Sequence, residues 1–137
     1  MACLDTTVLV DLVRSNLQLK RRALDKIEQL SAAGQTIATT RFNLAELYVG
    51  IELSNNPQSN YRQVNDIFEY LDLVLEFNDL AAQSLGLIAS HLRRIGRPVG
   101  DFDMLIAATS LAGDHALLVT RNPSHFSGIP ELLLEVY

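Results

Sequence analysis

Cysteine is almost missing from these 137 residues: Cys3 stands alone, so no intrachain disulfide can form and a reducing compartment suits the chain. A single thiol beside Leu4 reads as a small core residue and not as a nucleophile. Long apolar runs are lacking too. Nothing approaches the roughly 20 residues needed to cross a bilayer, and the first residues carry no basic segment followed by an apolar run as a secretory signal would. The expectation is a soluble, cytoplasmic protein with no membrane association. Positive charge is scarce: 11 Lys and Arg against 16 Asp and Glu leave a formal charge of −5. That argues against nucleic-acid binding by bulk electrostatics, so a polyanionic substrate would need a divalent cation or a local group of arginines. The histidines, at 91, 115 and 125, have no zinc-site spacing. There is no Walker loop, no Gly-x-Ser-x-Gly elbow and no dinucleotide fingerprint. No linker, repeat or low-complexity tract divides the chain, and at 48% hydrophobic it suits one domain over residues 1–137.

What is present centres on Gly96 to Ala108, G-R-P-V-G-D-F-D-M-L-I-A-A. Two acids, Asp101 and Asp103, stand at the lip of an apolar segment that must be largely buried. Two glycines and a proline end the preceding helix, so one of these acids can cap the next helix while the other faces whatever lies opposite. Asp5 and Glu46 occupy comparable positions. Asp5 directly follows the short strand Met1 to Leu4 and precedes the apolar set Val8, Leu9, Val10, Leu12 and Val13, where it can also serve as an N-cap. Residues 17 to 33 form an amphipathic helix, and Gln35 to Thr39 a buried strand. Thr40 opens a helix through Ile51 that is apolar around most of its circumference. Glu46 sits inside that ring, too deep to cap, and needs a cation, a proton, or an edge position beside Arg41 or Arg62.

Asn55-Asn56-Pro57 breaks the chain, and a helix resumes from Tyr61 to Leu71. Leu73 to Phe77 reads as a strand, Asn78 as the cap of a helix from Leu80 to Ile95, and Phe102 to Leu111 as the helix after the central stretch. Ala116 to Thr120 is a buried strand, Arg121 to Phe126 a loop or single turn, and Leu132 to Val136 an edge strand. Strands that are continuous apolar runs alternating with helices predict a three-layer α/β/α domain with a short parallel sheet.

In such a sheet the right-handed crossovers bring the strand-to-helix junctions to one rim. Asp5, Glu46, Asp101 or Asp103, and Asn122 all belong to junctions of that kind. Carboxylates gathered without balancing cations repel one another, and a hard divalent cation such as Mg²⁺ or Mn²⁺ resolves the conflict. The chemistry this suggests is metal-assisted phosphodiester hydrolysis.

Three ordered motifs, L-D-T-T-V-L-V-D-L, T-T-R-F-N-L-A-E-L-Y-V-G, and I-G-R-P-V-G-D-F-D-M-L-I-A-A with L-L-V-T-R-N-P-S-H-F, together resemble a PIN-domain protein of the VapC toxin type over nearly the whole chain. The resemblance implies that Asp5, Glu46 and Asp103 are the catalytic acids, with Asp5 and Asp103 holding Mg²⁺ or Mn²⁺. Thr6 and Thr120 match positions that support the metal site through their hydroxyls, and Asp101 becomes an accessory carboxylate. Asn122 stands where many PIN domains carry a fourth acid, so it adds an amide and no charge. Arg121, beside it, is expected to touch RNA or the antitoxin. The implied activity is an endoribonuclease acting as the toxin of a toxin–antitoxin pair, homodimeric and silenced by an antitoxin whose tail enters the acidic groove. The competing readings are a PIN-fold nuclease acting on DNA and a catalytically degenerate RNA-binding or dimerisation module.

Overall fold

A computed structural model describes residues 1–113 and 117–137. The elements run β1 (Ala2–Leu4), α1 (Thr6–Val13), α2 (Leu17–Ala32), β2 (Ile37–Thr40), α3 (Arg41–Glu52), α4 (Pro57–Ile67), β3 (Leu73–Leu75), α5 (Asp79–Arg94), α6 (Asp101–Ala112), β4 (Leu117–Val119) and β5 (Leu133–Glu135). The strands form one sheet in the order β3-β2-β1-β4-β5, and every pairing is parallel. Ala116, expected to open the fourth strand, lies outside the described residues.

The alternation of side chains along β1 explains the three layers. Ala2 and Leu4 point into a core shared with α1, α2, α3 and α4, whereas Cys3 between them points into a second core against α5 and α6. Both faces are covered, which is why the short strands carry almost no polarity. Burial pushes the Cys3 thiol up to about 12, so it remains a protonated core group.

The strand order also places the site. From β1 the chain steps outward to β2 and β3, then crosses to β4 and β5 on the other side. The reversal lies at the carboxyl ends of β1 and β4, where a crevice opens in sheets of this kind. Asp5 follows β1 and Thr120 follows β4, so these two residues flank the opening.

Several boundaries differ from expectation, and two of them have a clear physical cause. α4 begins at Pro57, four residues before Tyr61, because Asn56 caps it through Ser59 N–H and the proline occupies the first turn, where its missing N–H costs nothing. The cap of α6 is Gly100, with no side-chain cap bond, so neither Asp101 nor Asp103 is spent on capping. Here glycine supplies space: a Cβ at residue 100 would stand 3.1 Å from Asp103 Oδ2.

Candidate active site

One side of α1, the second turn of α3, the first turn of α6 and the loop after β4 border a pocket of about 290 Å³. Asp5, Glu46 and Asp103 all line it, with Asn122, Arg121 and His125 on the side of β4. Asp5 is 5% exposed and carries out both roles open to it from the sequence. It caps α1, taking a weak bond of 3.5 Å from Thr7 N–H, and it presents its carboxylate to the pocket.

Among the described residues, every bond to the Asp5 side chain comes from a neutral donor. Oδ2 accepts the hydroxyl of Thr7 at 2.9 Å and that of Thr120 at 2.8 Å. Oδ1 accepts the Asn43 amide alone among them, at 3.3 Å. The lone pairs of the two threonines are occupied as well, because the backbone N–H of Arg121 donates to Thr7 Oγ1 and that of Asn122 to Thr120 Oγ1. Each hydroxyl proton is thereby directed at the carboxylate. Asp5 Oδ1 keeps the larger remaining capacity to accept, and it is the oxygen available to a ligand.

Asn43 is fully buried and links the acids. Its Oδ1 accepts the backbone N–H and the hydroxyl of Thr40, which fixes the amide's orientation and directs both Nδ2 protons outward. One goes to Asp5 and the other, at 3.0 Å, to Thr6 Oγ1, whose own proton goes to Glu46 Oε2. Glu46 is half-buried, and the paired arginine envisaged for it is absent: Arg41 bonds Glu76 instead. Burial pushes the Glu46 carboxyl above its ordinary value. The Thr6 hydroxyl opposes this, the charges of Asp5 and Asp103 add to it, and His125 offsets part of it. Asp103 is raised by burial too, with His125 Nδ1 at 3.6 Å from its Oδ2 opposing and the Asp5 charge adding.

Three expected site residues sit differently. Asp101 is exposed in the first turn of α6 and lines a separate groove between α5 and α6, away from the acid pocket. Arg121 borders the pocket, but its guanidinium is turned onto α1: Nη2 donates to Asp11 Oδ1 at 3.1 Å and Nε lies 3.0 Å from Oδ2. Asn122 borders the pocket also, and reaches Asp5 only indirectly, by its backbone bond to Thr120. Thr6 and Thr120 make the hydroxyl bonds expected of them. Sequence reasoning missed Asn43, Thr7, His125 and the buried Asp11, whose second partner is the Tyr137 hydroxyl at 2.8 Å. The Thr40-x-x-Asn43 spacing of a capping box was the one available signal for Asn43.

The donor set fits a hard divalent cation. Three carboxylates with no sulfur ligand face one pocket, and the unshared oxygens suit an ion that keeps several waters. Among the described residues no three acidic, histidine or cysteine side chains close into a finished cage, so an ion here would draw on water or substrate oxygens for part of its shell.

The PIN domain family matches residues 2–132. Among curated relatives, Ribonuclease VapC2 of Rickettsia felis is 32% identical over 78% of this chain and 78% of its own. The tRNA(fMet)-specific endonuclease VapC of Shigella flexneri is 35% identical over 67% of this chain and 68% of its own. Of solved structures, VapBC2 from Rickettsia felis bound to a DNA fragment from its promoter superposes with a TM-score of 0.87 at 27% identity, covering 99% of this chain and 98% of that one. DNA-bound VapBC from Salmonella typhimurium gives 0.84 at 26%, over 98% and 96%. With its parallel sheet, its acids at the strand ends and these relatives, the chain belongs to the PIN-domain family and, within it, to the VapC ribonucleases.

Proposed function

We propose that the protein is a metal-dependent endoribonuclease, the toxin of a toxin–antitoxin pair, with Asp5, Glu46 and Asp103 as its catalytic acids. The convergence of those three side chains on one pocket, none of them paired with an Arg or Lys, is the observation that carries the reading. Asp5 and Asp103 would hold Mg²⁺ or Mn²⁺. Bound there, the ion polarises the scissile phosphate, lowers the pKa of the attacking water and offsets charge on the leaving oxygen.

The chain's own groups supply the rest. Thr7 and Thr120 donate to Asp5 Oδ2, and Asn43 fixes the carboxylate's orientation through Oδ1. Glu46, held through Oε2 by Thr6, has Oε1 left to take the proton of the attacking water, and its raised pKa suits a general base. Gly100 leaves room for the Asp103 carboxylate.

The solved relatives are toxin–antitoxin complexes, which supports a cognate antitoxin here. Val10 and Arg14 line both the acid pocket and a groove of about 440 Å³ between α1, α3 and α4, a path by which an antitoxin tail can reach and block the acids. A homodimer is part of the same proposal. Phe42 meets Phe77 and Phe102 edge to face at 5.6 and 6.2 Å, and the outer two rings leave apolar surface for a second copy. The domain is taken as a single unit over residues 1–137. Among the described residues no helix is long and apolar enough to cross a membrane, and a cytoplasmic location is proposed with the rest.

The test is cleavage of bulk cellular RNA by the purified chain in Mg²⁺ or Mn²⁺ and in EDTA. Metal-dependent fragments that disappear with Asp103→Asn are expected. Equal cleavage by that variant and the parent would leave Asp103 without a catalytic role, and cleavage of DNA alone would transfer the site to the rival substrate.

A further inference from the structure

The acid pocket presents a problem for any phosphodiester: its walls are carboxylates, and most of the chain's arginines are engaged or elsewhere. Arg41 is paired with Glu76. Arg97 donates to Ser127, and Arg22 donates to the Tyr137 carbonyl. Arg93 and Arg94 belong to grooves along α5. Arg121, the arginine the sequence singles out, has its guanidinium on Asp11. Arg14 differs from all of these. It follows the last turn of α1, lines the acid pocket and is exposed; its backbone N–H closes α1 on the Val10 carbonyl, and its guanidinium makes no hydrogen bond or ion pair with any described residue.

We propose that Arg14 is the substrate-binding cation of this site, contacting a backbone phosphate of single-stranded RNA next to the one being cleaved. The proposal rests on the ribonuclease reading and deepens it. α1 connects the two ends of the arrangement: Asp5 caps its first turn and Arg14 terminates its last, so one short helix carries an acid for the metal and a cation for the polyanion. The helix itself is held in place by the Asp11 and Arg121 pair near its C-terminal end, which leaves the Arg14 guanidinium, among the described residues, as the unpaired charge of this helix. Its guanidinium is able to bind a phosphate through two parallel bonds, and its flexible stem lies on the boundary of the acid pocket and the adjoining groove, through Val10 and its own side chain. Phosphate contacts of this kind position a nucleic acid and carry no base sequence.

Steady-state cleavage of bulk cellular RNA by the purified full chain in Mg²⁺, with KCl varied, tests this. Arg14→Ala is expected to raise KM about tenfold with kcat within about twofold of the parent, since a lost phosphate contact weakens binding uniformly. The slope of log(kcat/KM) against log[KCl] should fall by about 0.7, the value for one phosphate contact on a single strand. Arg14→Lys, which keeps the charge and loses the fork, should restore the salt slope and only part of the affinity, and thermal melts of both variants should match the parent. An unchanged KM in Arg14→Ala, or a loss of kcat with the salt slope intact, overturns the proposal while leaving the nuclease reading in place. Absence of metal-dependent cleavage by the parent chain would strike the nuclease reading itself.

Discussion

Helix α1 and its N-cap carry two buried carboxylates about 1.7 turns apart, and they are provided for in opposite ways. Asp11 is 0% exposed and meets a guanidinium from Arg121 and a hydroxyl from Tyr137. Asp5 is nearly as buried, and its partners Thr7, Thr120 and Asn43 are all neutral. A buried carboxylate with its own cation has its charge compensated inside the protein, so it serves the fold. One held only by neutral donors has no counter-charge inside the protein, and it is the one fitted to bind a cation from outside. Burial alone would rank the two together; the charge of their partners separates them.

Replacing each acid should therefore break different things. Asp5→Asn keeps the shape and removes the charge. Metal-assisted chemistry worth several kcal/mol should vanish, about a 10³-fold fall in RNA cleavage, with urea denaturation showing little change. Asp11→Ala should show the reverse pattern. It leaves Arg121 without a counter-charge, and urea denaturation should report a loss of about 3 kcal/mol, the low end for a broken buried pair because Arg121 is 30% exposed. If Asp5→Asn destabilised and Asp11→Ala only inactivated, the contrast between the two acids would be the wrong way round. Metal sharpens it further: at a hundredfold excess over Kd, Mn²⁺ should stabilise the parent by about 2.7 kcal/mol. Thermal melts should lose that gain with EDTA or with Asp5→Asn.

Much of this was legible before any coordinates. Strand-to-helix junctions carrying an acid are visible as local patterns, so Asp5, Glu46, the choice of Asp101 or Asp103, and the parallel sheet could be read from the chain, whereas preferring Asp103 took the resemblance to the PIN motifs. Asp101 shows where periodicity should have been pressed harder. Two helical positions are about 200° apart, so residues 101 and 103 could not both face one pocket. Asp11 was invisible for another reason. A buried Asp and a solvated one look alike in sequence, and its partners Arg121 and Tyr137 are 110 and 126 residues away. The Arg121 pairing was invisible with it: a basic residue beside the site suggests a substrate contact, and its counter-charge on α1 shows only in the fold. Asn43 reads locally as a cap, and its second duty toward Asp5 crosses 38 residues.

That second duty yields the next prediction. Asn43→Ala removes the amide that joins Thr40 to both Asp5 and Thr6, leaving Asp5 Oδ1 unsupported. Supporting groups behind metal ligands typically matter by 10- to 100-fold, so about a 50-fold fall in RNA cleavage is expected, with weaker Mn²⁺ affinity by calorimetry. Loss of stability with full activity per folded molecule would reduce Asn43 to its capping role.

The smallest effect should fall on Thr6, whose hydroxyl donates to Glu46 and to none of the other acids among the described residues. Thr6→Val is nearly isosteric and deletes the hydroxyl between Asn43 Nδ2 and Glu46 Oε2. Because Glu46 is half-buried, water can replace part of what is lost, which limits the cost to about 1 kcal/mol, or about fivefold in kcat. Asp5 keeps all its donors in this variant, so Mn²⁺ affinity should not move. A fall in kcat with unchanged metal affinity would assign Glu46 to proton transfer and Asp5 to the metal. A parallel loss of both would mean that Glu46 is itself a ligand, and the division of labour among the acids would have to be redrawn with Glu46 beside Asp5 and Asp103.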